Sequence, residues 1–145
     1  MKTKIVLTSV LILLTVLPII GQEKTTQELL ISKDWNRTIN QSMSDGFEFT
    51  EADMITYIIY KGQKTERKYI YYLSDELEIK FDYSKVGKAK NGKYLMYIIA
   101  SKDKLEKKAE TYEFLELSDS IFKIRIPDEK IPSKAIYQWI AKSKN

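Results

Sequence analysis

Histidine and cysteine are both missing from the 145 residues, and this limits the available chemistry before anything else. Ser-His and Cys-His nucleophile pairs are removed, together with the commonest acid/base at neutral pH and the usual zinc ligands. Acid/base work would fall to carboxylates. Asp75, Glu76 and Glu78 lie close together, with Asp82 beyond. Glu76 and Glu78 share one side of an extended chain, whereas a glycosidase needs two acids facing each other across roughly 5–9 Å. The spacing reads as an ordinary acidic loop. No catalytic residue, cofactor or metal site is expected, and the chain is not read as an enzyme.

Two other residue sets could serve binding. Ten tyrosines are present, and Tyr57, Tyr60, Tyr69, Tyr71, Tyr72, Tyr94 and Tyr97 fall in the middle of the chain. Tyrosine lining a cavity stacks on a ring and offers a hydroxyl; tyrosine is equally a favoured strand residue on a half-buried face. Tyr57, Tyr71, Tyr94 and Trp139 are the candidates for a ligand-facing wall, chosen for their alternating strand positions. Lys85, Lys88, Lys90 and Lys93 surround Val86-Gly87 and Asn91-Gly92, with only Asp82 nearby in sequence. Four ammonium groups could touch anionic headgroups, each worth about 1 kcal/mol, or simply solvate a loop. Asp119-Ser120-Ile121 fits an Asp-Ser/Thr-hydrophobic acceptor of some bacterial O-glycosylation systems. Asn36-Arg37-Thr38 and Asn40-Gln41-Ser42 fit the N-glycosylation pattern, a chance match behind a bacterial leader.

The elements that must position these residues begin with a leader. Met1-Lys2-Thr3-Lys4 is basic, residues 5–20 are uncharged and apolar, and the sequence turns polar after Gly21-Gln22. This is the layout of a secretory signal peptide cut after Gly21, and Pro18 keeps the junction extended. The alternative is a retained anchor, but residues 5–20 rise only about 24 Å as a helix, short of a roughly 30 Å hydrocarbon layer. Residues 1–21 are therefore assigned as leader and 22–145 as one domain. Losing Lys2 and Lys4 takes the formal charge from +4 to +2. Lysines alternate with acids, which points away from nucleic acid. No disulfide can brace an exported chain without cysteine, so packing must hold it.

Past the leader, residues 25–31 predict a short helix capped by Thr26. From Lys33 the period is two. Strands are predicted over 33–40, 46–50, 53–61, 66–73, 93–101, 110–117, 120–126 and 135–142. A short extra strand is conceivable through Leu77, Ile79 and Phe81 within the polar segment 74–92. Gly62, Asn91-Gly92 and Ser118-Asp119 supply turns, and Pro127 and Pro132 bracket a loop. About eight antiparallel strands in a meander hide their edges best by closing into a barrel, with a two-sheet sandwich as the alternative.

The runs Tyr71-Tyr72-Leu73-Ser74-Asp75, Phe81-Asp82 with Ser84-Lys85-Val86-Gly87-Lys88, and Asn91-Gly92-Lys93-Tyr94 resemble small exported bacterial lipocalin-like proteins. The resemblance implies an all-β lipocalin-like barrel and export to the periplasm or beyond. It implies that Trp35 plugs one end, although Lys33-Asp34 stands where a Gly-x-Trp motif would have its glycine, and that Arg125 is the late arginine packed on that ring. The expected function is a non-enzymatic binding protein of the bacterial envelope holding a small apolar or amphipathic ligand. The alternative is an interaction or inhibitor module with a filled barrel, acting through 74–92 and its Lys85, Lys88 and Lys90 on an envelope protein or, weakly, a membrane surface.

Overall fold

A computed structural model describes residues 23–100, 109–127 and 135–144. The expected leader and its cut lie outside these, as do Ser101 and Pro132. The chain opens with helix α1, Thr26–Ser32. Its N-cap is Thr25, one residue before the predicted one, because Glu28 then completes a reciprocal pair. The Glu28 amide donates to Thr25 Oγ1 at 3.2 Å, and the Thr25 amide donates to Glu28 Oε2 at 2.8 Å.

Eight strands follow: β1 Asp34–Asn40, β2 Met43–Phe49, β3 Asp53–Tyr60, β4 Gln63–Ser74, β5 Tyr94–Ile99, β6 Glu110–Leu117, β7 Ile121–Arg125 and β8 Ile136–Lys142. Each pairs antiparallel with the next, and β8 returns to β1, closing an eight-stranded meander barrel. The predicted fold class is the observed one. Two strands start earlier than their hydrophobic pattern. β2 takes in polar Ser44 and Asp45 because Asp45 meets Arg37 across the β1–β2 ladder. β4 takes in Gln63–Thr65 because Lys61 and Gly62, both at positive φ (47° and 80°), make a tight turn that keeps the ladder running. Leu77, Ile79 and Phe81 form no strand: the segment after β4 carries an isolated bridge and a single 3₁₀ turn at Tyr83–Lys85.

Alternation along the strands divides the side chains into two faces. Trp35, Phe47, Phe49, Met54, Tyr71, Leu73, Leu95, Phe122, Ile124 and Trp139 point inward and form the main core. A second core lies outside the barrel wall. There Phe81, Tyr83 and Val86 pack on Tyr72, Tyr94, Met96 and Ile98, the outward residues of β4 and β5. One end of the barrel is sealed by α1. Leu30 joins the inner core, its carbonyl accepts from Trp35 Nε1 at 3.1 Å, and buried Gln27 bonds Lys90 O and Glu51 O. The β1–β2 and β3–β4 turns stand at the opposite end, the mouth.

Candidate functional site

Phe122 is the hub of the inner core. It has no exposed surface and meets Trp35, Phe47, Phe49, Phe114 and Trp139 at centroid distances of 5.5–6.0 Å. Aromatic rings at such spacing fill space at near-crystalline density. Tyr71 and Trp139, two of the four candidates for a ligand-facing wall, do face inward, but as parts of this filling. Tyr71 donates its hydroxyl to Thr50 O at 2.7 Å and touches the Phe49 ring edge-on. Burial pushes its phenol up to about 12. Trp139 Nε1 donates to Asp45 Oδ1 at 2.9 Å, and the Arg37 guanidinium lies 4.8 Å over its ring. Among the described residues no buried side-chain nitrogen or oxygen is left without a partner.

The other two candidates point the opposite way. Tyr57 sits outside the wall. Its ring crosses Gly46, and its hydroxyl reaches toward Trp35 O (3.5 Å) and Asn36 Nδ2 (3.4 Å). A Cβ at residue 46 would stand 2.5 Å from the tyrosine ring and 2.1 Å from Trp35 O, so this crossing requires glycine. Tyr94 also faces outward, packed in the second core beside Lys93. The four residues therefore make no common wall. Period-two spacing places a residue on a face, and which face lies inside is decided by how the strands pair.

The lysines fare differently from their sequence setting. Lys85 Nζ bonds Glu78 at 2.8 Å and Lys90 Nζ bonds Gln27 Oε1 at 2.7 Å, while Lys93 pairs with Glu113 at 3.4 Å. Lys88 is exposed beside Asp82. The patch is thus partly paired: Glu78 of the same segment meets Lys85 and the distant Glu113 of β6 meets Lys93, while Lys90 rests on the neutral amide of Gln27. Glu78 accepts from Tyr72, Ser74 and Lys85. Burial opposes its ionisation, yet those three bonds hold its carboxyl below the usual range. Glu113 is held low in the same way, burial being outweighed by Arg125 and Lys93. Arg125 is thus engaged with Glu113 (2.8 Å from Nε), and it is Phe122 and Leu30 that meet Trp35. Ser120 stands exposed in the β6–β7 turn.

Open space lies toward the mouth. A cleft of about 470 Å³ is lined by Leu77, Glu78 and Ile79 on one side, and by Tyr97, Glu110, Thr111, Ile126 and Pro127 on the other, with Ala109 between. Leu77 and Ile79 are 54% and 76% exposed, a large apolar display for a segment otherwise folded onto the wall. The Ala109 amide donates to Ile79 O at 3.1 Å and fixes the two sides together. Tyr97 reaches the cleft from β5. Its ring lies 4.7 Å from Tyr112 and 5.4 Å from Tyr69, and Tyr137 of β8 is close enough to Tyr112 to influence its titration. Burial first, then Tyr112 and Glu110, push the Tyr97 phenol far above its ordinary value, so it stays a neutral donor.

Neither Tyr97 nor Tyr112 was singled out from sequence as a wall residue. The available signal was strand parity: Tyr69, Tyr71 and Tyr97 share the inner face once β4 is registered on β5. Among the described residues no group of three or more acids could hold a metal ion, and no helix is long and apolar enough to cross a membrane. Comparison of the chain with protein-family models, with curated proteins and with solved structures yields no match.

Proposed function

We propose that this is an exported, non-enzymatic binding protein that takes a small amphipathic ligand in the mouth-side cleft, against a barrel whose centre is solid. The observation that carries the reading is the contrast between the two spaces. Phe122 and its ring neighbours leave the centre filled, while the cleft beside Leu77, Ile79 and Tyr97 offers about 470 Å³ with apolar walls and two carboxylates. That volume falls in the range of ligand sites, roughly 300–1,000 Å³, and the mixed lining is typical of them. The resemblance to exported lipocalin-like proteins supports binding as the activity but puts the ligand deeper than the packing here favours. Of the segment 74–92, the exposed apolar pair Leu77 and Ile79 is a better contact than Lys85 and Lys90, which are already engaged. The carboxylates that sequence proximity raised as an acid pair support no catalysis either, since Glu78 is occupied by three donors.

Native mass spectrometry of protein purified from its own host, with titration of an environment-sensitive hydrophobic dye, tests this reading. The expected result is a ligand adduct or dye binding that Ile79→Lys abolishes while thermal stability stays unchanged. A ligand-free mass and no dye signal would remove the proposal.

A further inference from the structure

We infer that the cleft selects an organic cation carried on an apolar body, such as an alkylammonium; this rests on the binding reading above. The two acids that line the cleft are not equivalent. Glu78 is satisfied by Lys85, Ser74 and Tyr72. Glu110 is exposed, and among the described residues no lysine or arginine pairs with it. Several acids of the barrel wall do have a cation, though Glu116 of the same strand has none among the described residues: Asp45 has Arg37, Glu48 has Lys64, Asp53 has Lys68 and Glu113 has Arg125. Glu110 stands opposite Tyr97 across the β5–β6 ladder, on the same face of the sheet. A negative charge is thereby fixed at the edge of an apolar cleft, next to tyrosine rings.

Those rings add a second attraction. Tyr97 and Tyr112 lie 4.7 Å apart, and a desolvated cation over an aromatic face is stabilised by the ring quadrupole. The chain already uses this interaction on the inner face, where Arg37 lies 5.2 Å over Tyr137 and 4.8 Å over Trp139. Leu77, Ile79, Ile126 and Pro127 would cover the apolar part of the ligand. An anionic amphiphile would meet Glu110 with the wrong sign.

Calorimetric titration with three probes of one chain length tests the charge directly: dodecyltrimethylammonium, dodecyl maltoside and dodecyl sulfate, each below its micellar concentration. The cation is expected to bind about tenfold tighter than the neutral glycoside, the sum of one partly screened ion pair and one ring contact. Glu110→Gln should reduce that preference several-fold. Equal binding of cation and glycoside, or a preference that survives Glu110→Gln, overturns the cation assignment and leaves the cleft as a site. Failure of all three probes overturns the site as well. Should Glu110→Gln not fold, salt titration of the natural chain decides, because an ion-pair preference shrinks with ionic strength and a persistent one refutes the role of Glu110.

Discussion

Tyr71 and Tyr72 are chain neighbours, each 1% exposed, and they are buried by different parts of the molecule. Tyr71 points into the barrel, where strands from the whole length of the chain close around it. Tyr72 points outward and is covered by Phe81, a few residues further on, with ring centroids 4.9 Å apart. The inner face is thus sealed by long-range closure and the outer face by a short segment folding back. Removing a part of the first should loosen the whole barrel, whereas removing a part of the second should open one flap. The cleft lies on the flap side, where Leu77 and Ile79 belong to the same covering segment as Phe81.

The sharpest test sets Phe122→Ala against Phe81→Ala. Phe122→Ala should cost about 3–5 kcal/mol in denaturant unfolding and lower hydrogen-exchange protection in every strand. Phe81→Ala should cost about half as much, roughly 2 kcal/mol, because the segment can collapse into the space. Its exchange effect should be confined to residues 75–93. Equal global losses from the two variants would break the distinction.

Alkaline titration gives the next largest effect. Burial, the first cause for both, pushes Tyr71 and Tyr72 up to about 12 from an ordinary 10.0. A group whose folded value is raised contributes stability that is complete below the unfolded value and is lost as pH rises toward the folded one. Stability should therefore hold to about pH 10 and fall by about 2–3 kcal/mol per buried tyrosine toward pH 12. Tyrosinate absorbance should appear together with the loss of strand circular dichroism, and Phe81→Ala should release part of it at lower pH. Ionisation of every tyrosine near pH 10 with the dichroism intact would contradict the burial described.

The smallest effect belongs to the exposed β3–β4 turn, remote from both cores. Lys61 adopts φ 47°, a conformation asparagine tolerates better, so Lys61→Asn should stabilise by about 0.5 kcal/mol. Urea midpoints should rise slightly with the dependence on denaturant unchanged. A loss of stability would show that the lysine ammonium over the Tyr60 ring, 5.3 Å away, outweighs the backbone preference.

Much of the barrel was legible because its signals are local. Phe122-Lys123-Ile124 and Tyr137-Gln138-Trp139 alternate as strands must, and Gly62 and Ser118-Asp119 mark chain reversals, whereas the turn expected at Asn91-Gly92 falls earlier, at Gly87 with φ 72°. What misled was also local. Polar Ser44-Asp45 falls outside the predicted strand 46–50 until Arg37 is placed opposite, and Ile79 with Phe81 reads as a strand although the segment turns back on the wall. The candidate wall was half legible: Tyr71 and Trp139 face inward, Tyr57 and Tyr94 do not, and the cleft combines residues from four separate stretches of chain.

By itself the sequence determined the absence of histidine and cysteine chemistry, the all-β class and the order of the strands, because composition and period-two spacing are properties of neighbouring residues. Only the tertiary structure decided which face is inside, that the centre is filled with rings, that Glu113 meets Arg125 and Lys93, and that Glu110 meets no cation among the described residues. Those outcomes depend on pairing register and on contacts between residues far apart in the chain, which no local pattern encodes.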